Sequence, residues 1–190
     1  MVRNIFYCMM ILVFFLIFKC FLFSEKINLL CIIKDYNKIF YNFNTGKKSI
    51  KDEIFFIVVP IILGIILGNF IFFTKEIITI LLNVFSILLG LMLNLLVLTV
   101  NKTNKEKYEK KYERELKKQI FNGISFSIFI SIFVVIFSLI ASFDVEFIKE
   151  IKFYIVIKKI YGICMFSLIL LFFMDLLMIL KRIHSLFGDN

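Results

Sequence analysis

Apolar and polar positions along this chain fall in long blocks rather than short periods. Residues 77–100 and residues 120–143 each run for 24 positions without a charge. A bilayer core about 30 Å thick takes about 20 apolar residues at 1.5 Å rise per residue, so each block spans it with some tilt. Between them, residues 101–119 carry seven Lys, one Arg and four Glu. That stretch has no place in hydrocarbon and must stand in water. Residues 54–73 and 160–180 are further apolar blocks, the second interrupted by Asp175, and residues 5–23 form another, interrupted by Lys19. The pattern predicts an all-α fold in one domain over 1–190. It is a polytopic transmembrane helical bundle of four or five spans, at about 5–23, 54–73, 77–100, 120–143 and 160–180. The fourth span extends as a helix into a charged head, 101–119.

Taken in order, residues 5–23 follow Arg3 and have the outline of a signal peptide, but no small-residue cleavage site follows the apolar core. They read as a first span, with Lys19 near enough to one end to snorkel to the headgroups. In about 27–43, Leu29, Leu30, Ile33, Tyr36 and Phe40 have helical spacing. This predicts an amphipathic helix on the membrane surface or against the bundle. Asn44-Thr45-Gly46 signals a turn, and Ser49 with Asp52 has the spacing of a helix cap. The second span holds Pro60, placed to tilt its start, and Gly64-Ile-Ile-Leu-Gly68, which lets another helix backbone approach closely. Thr74-Lys75-Glu76 is so short a connection that the second and third spans are expected to be antiparallel neighbours.

The third span carries Asn83, Ser86, Gly90 and Asn94, spaced three, four and four apart on one helical face. Lipid offers these groups no hydrogen bonds, so the stripe should turn toward protein. It serves either interhelical hydrogen bonding or the lining of a water-filled pore. Thr103-Asn-Lys-Glu106 matches a capping box at the start of the head, and Glu106/Lys110 and Glu113/Lys117 are favourable i,i+4 pairs. A continuous helix over 104–142 would be roughly 58 Å long. It presents Tyr108, Tyr112 and Leu116 as a stripe for a cytosolic partner or another copy. Residues 144–159 read as an interfacial helix or a helical lead-in to the last span, a strand over 153–157 being the weaker option. In that span Asp175 is the intramembrane charge. It is expected to pair with Lys19, to sit hydrated at the helix end, or to act in function. His184 falls in a short polar tail and should be exposed.

Composition agrees: 61% of the 190 residues are hydrophobic and 19% are charged, against about 45–50% and 25% for soluble domains. The net charge is +9. Sixteen Lys and Arg fall in the first loop, the head and the tail, against six in the connections on the other side. Basic residues favour the cytoplasm. The head and the C-terminus are therefore placed in the cytoplasm of a multi-pass cell-membrane protein, most simply in a bacterial inner membrane. Anionic lipid headgroups explain the lysines. Their alternation with Glu, without a recognised fold, argues against nucleic acid. Cys8, Cys20, Cys31 and Cys164 lack metal or redox spacing and read as small buried hydrophobes. One histidine, no Gly-rich phosphate loop and no nucleophile pair argue against an enzyme, and no metal or cofactor is expected.

The layout over 54–180 resembles the small multi-span membrane proteins of bacterial anti-phage defence operons. The resemblance centres on Leu89-Gly-Leu-Met-Leu-Asn94, the Lys/Glu head and Ile120-Phe-Asn-Gly-Ile-Ser125. It implies a self-assembling membrane effector or channel-type subunit, a homo-oligomer controlled through its basic head, and carries no catalytic residues. The alternatives are a non-conducting anchor that recruits a cytosolic protein, and a small transporter. Residues 54–100 and 120–180 show no inverted repeat in support of the last.

Overall fold

The structure is a computed structural model and describes residues 29–41, 47–71, 73–103, 111–142 and 154–188. It is all-α. Helix α1, Leu29–Asn37, runs into a 3-10 turn, Lys38–Phe40. Helix α2 is Ile50–Phe70, α3 is Lys75–Thr103, α4 is Lys111–Ser142 and α5 is Tyr154–Gly188. The β pairing among these residues is an isolated antiparallel bridge, Tyr41 with Lys48, which brackets the expected Asn44–Gly46 turn. Helices α2 to α5 are long and apolar enough to cross a bilayer, and they make the chain a multi-pass membrane protein. The expected span at 5–23, with Lys19, lies outside the described residues, as do the turn itself, Tyr108 and most of the head's capping box.

The spans form a layered bundle. Helix α2 packs on α5, α5 on α4, and α4 on α3, with α1 laid across α4. The central core joins Phe85 of α3, Ile130 and Val134 of α4, and Met165 and Phe172 of α5. A second cluster, toward the start of α4, gathers Met92, Ile120, Ile124, Ile128 and Ile179.

The α2–α5 contact depends on glycine. A Cβ on Gly64 would lie 2.6 Å from the Ser167 backbone, and one on Gly68 would lie 2.8 Å from the Gly162 carbonyl carbon. The expected neighbour relation of α2 and α3 is therefore corrected. After Phe70 the chain is extended, with Ile71 at φ −111° and ψ 125°. Phe73 turns inward onto Tyr161 and Phe166 of α5. The short link steps past α5, which stands between its two helices.

Pro60 shapes α2. Residues Ile54–Val58 form a π-helical turn, in which the Val59 amide donates to the Ile54 carbonyl five residues back. The extra residue accommodates a ring that has no N–H and would crowd the carbonyl four residues earlier. Ser49 holds the N-cap position of α2 but makes no side-chain capping bond. A Lys48–Glu53 ion pair at 2.5 Å is made beside it. Thr103, expected to cap the head helix, is the last described residue of α3. Residues 154–159 are helical and belong to α5, not to a strand. Cys31 and Cys164 are exposed rather than buried, because both lie off the packed faces of their helices.

Candidate functional site

Two groups of polar residues stand out: one buried at the end of the bundle where α1 docks, and one on the outer surface of α3.

The buried group centres on Asp175, which is 1% exposed. It lies on the inward face of α5 between Phe172 and Met178, where helical spacing places it against α4. The Ser127 hydroxyl donates to Asp175 Oδ2. The Tyr36 phenol and the Arg182 guanidinium face the same carboxyl. Oδ1 has no hydrogen-bond partner among the described residues, and neither does the buried Nη1 of Arg182. Lys19, one expected partner of Asp175, lies outside the described residues. Among the described residues, the polar groups facing Asp175 are a serine, a tyrosine and an arginine.

Tyr36 reaches this position because α1 is amphipathic. Tyr36, Ile39 and Phe40 are its buried side, packed on Met178. The Tyr36 ring stacks on Phe126 with centroids 3.7 Å apart. Two polar bonds fasten the segment to the bundle. Asn122 Nδ2 donates to the Asp35 carbonyl at 3.1 Å, and Arg182 Nη2 donates to the Ile39 carbonyl at 3.2 Å. The amphipathic helix therefore lies against the bundle. Burial, and then the Asp175 carboxylate, push the Tyr36 phenol well above its ordinary range. On the outer side of α1, a hydrogen bond from Lys38 at 2.6 Å holds Asp35 below the usual carboxylate range.

Sequence reasoning singled out Asp175 and missed Ser127, Tyr36 and Arg182. A signal was present: Ser127, Ser131 and Ser138 are all fully buried and share one face of α4 at spacings of four and seven.

The second group is the α3 stripe. Helix α3 packs through Ile78, Phe85 and Met92. Asn83, Ser86, Gly90 and Asn94 lie on its far side and are all exposed. Ser86 donates back to the Leu82 carbonyl at 2.7 Å. An added Cβ at Gly90 would meet nothing within 4 Å. Around the stripe, Ile80, Ile87, Leu91 and Leu98 are exposed apolar side chains. The stripe thus lines no interior space in one chain; it faces outward at membrane depth.

Of the expected partner stripe, Leu116 is buried, which removes it from any docking surface. It continues inward a four-residue series with Ile120 and Ile124, so the core face of α4 extends into the charged head. No side chain is described for Tyr112. His184 is exposed.

Comparison with protein-family models, with curated proteins and with solved structures finds no match to this chain.

Proposed function

We propose that the protein is a self-assembling integral membrane subunit of channel or membrane-effector type, acting through assembly rather than covalent chemistry. The observation that carries this reading is the outward stripe on α3. Two asparagine amides exposed to lipid leave several donors and acceptors without partners, at several kcal/mol per group. Burial against protein or water removes that cost. An amide both donates and accepts, so identical helices satisfy one another across a symmetry axis. Gly90 allows close approach at the middle of the contact. With more than two copies, the same four residues line a polar axial path.

The end of the bundle where α1 lies carries exposed Lys34, Lys38, Arg114, Lys118 and Lys181. We place it at the cytoplasmic face of a bacterial inner membrane, against anionic lipid headgroups. The resemblance to subunits of anti-phage operons supplies the biological setting. The anchoring alternative is weakened by the burial of Leu116, one of the three residues its docking surface was to use.

The test is mass in mild detergent together with dye release from liposomes holding the protein alone. Wild type should be oligomeric and leaky. Asn83→Leu with Asn94→Leu should give a folded monomer and sealed liposomes. A wild-type protein that is monomeric and leaves the liposomes sealed would overturn the proposal.

A further inference from the structure

Asp175 and Arg182 are opposite charges two turns apart on one face of α5, yet they form no ion pair. Each instead has one buried atom without a partner, an acceptor on Asp175 and a donor on Arg182. The guanidinium's Nη2 donates to the Ile39 carbonyl, at the end of the segment that covers the site. Helical side chains lean toward the N-terminus, so Arg182 is directed back along α5 toward the carboxyl.

From this geometry we infer that Asp175 is a proton-binding site, and that its occupancy sets the hold of the segment 29–40 on the bundle. With the proton on, the carboxyl is neutral and makes no claim on the guanidinium. Arg182 then stays on the Ile39 carbonyl and the segment is fastened, as in the structure. With the proton off, a buried carboxylate holding the serine and the phenol lacks a counter-ion, and the Arg182 guanidinium that faces it has a buried donor without a partner, Nη1. Turning the guanidinium to bring Nη1 onto Asp175 forms that pair and swings Nη2 away from the Ile39 carbonyl. Acid therefore fastens the segment at Ile39 and base frees it there, while the Tyr36 phenol keeps its place at the carboxyl.

Other groups facing the pair do not substitute for Asp175. Ser127 of α4 does not titrate in this range. The phenol of Tyr36, from the covering segment, stays protonated. Asp52, at the start of α2, faces Arg182 but is exposed. The inference does not depend on self-association and fails separately from it.

Hydrogen exchange on the full chain in liposomes, corrected for the intrinsic pH dependence of exchange, reads the hold directly. Buried carboxylates titrate up to about pH 8–9, so the scan runs from about pH 5 to about pH 9. Protection of the amides of 31–40 should fall about tenfold or more on raising the pH, while that of 78–92 in α3 stays level. Asp175→Asn should keep the segment protected throughout, and Asp175→Glu should restore the response. Arg182→Gln should leave it poorly protected already at pH 5, and Asp52→Asn should respond like wild type. Level protection in wild type, or the same fall in Asp175→Asn, would overturn the inference. If Asp175→Asn fails to fold, wild type and Arg182→Gln decide it.

Discussion

Glycine at two positions separates close packing from open surface. At Gly68 an added methyl group meets the backbone of α5, which cannot rotate away. Gly68→Ala should therefore cost about 1–3 kcal/mol in a reversible unfolding assay in detergent. At Gly90 the methyl meets nothing, and Gly90→Ala should gain about 0.5–1 kcal/mol from helix propensity alone in monomeric detergent preparations. Tyr36 gives a prediction in pH. Its folded phenol titrates above the unfolded one. The stability it supplies is complete below about pH 10 and is lost as pH rises beyond. Alkaline melts of Tyr36→Phe should lack that added slope. At this scale the sequence exposed the odd group and hid its company. Asp175 is conspicuous as a carboxylate in an apolar run, whereas Ser127 lies 48 residues away in sequence and is an ordinary residue in any helix. Arg182 looked like solvated tail because nothing local shows that α1 returns to meet it.

Among the elements, the π turn of α2 makes a measurable claim. Pro60→Ala supplies an amide that can bond to the Phe56 carbonyl and restore α-helix. The preceding residues then rotate by about 100° relative to Gly64. Phe56 and Ile57 leave the cluster of Tyr36, Phe40 and Met178 that they now pack against. One hydrogen bond gains about 0.5–1.5 kcal/mol, while each large apolar side chain lost from burial costs about 1.5–3 kcal/mol. The variant should melt lower than wild type by differential scanning, by a net ~1.5–5.5 kcal/mol on those figures. Four helices long enough to cross, and the amphipathic face of α1, were legible because burial in lipid or protein imposes a simple period. The pairing of spans was not. A short connection limits distance but does not forbid a third helix from standing between, and Phe73 shows how that happens. The head misled at Leu116, since a stripe at four-residue spacing looks the same whether it faces a partner or continues the core.

For the whole molecule, the testable matter is which way it stands. In a background without cysteines, a cysteine at position 76 should react with an impermeant thiol reagent in intact cells. One at position 118 should react only after permeabilisation. The reverse pattern would invert the orientation inferred from the lysines. The layering has a consequence for assembly. Translation delivers α2, α3 and α4 before α5, the helix that α2 and α4 both pack on. Until it arrives, Gly64 and Gly68 line an empty seat beside α2, and the Ser127 hydroxyl lacks the carboxyl it donates to. The nascent bundle is thus an open clamp, completed only when its latest-made rod slides between jaws already standing in the bilayer.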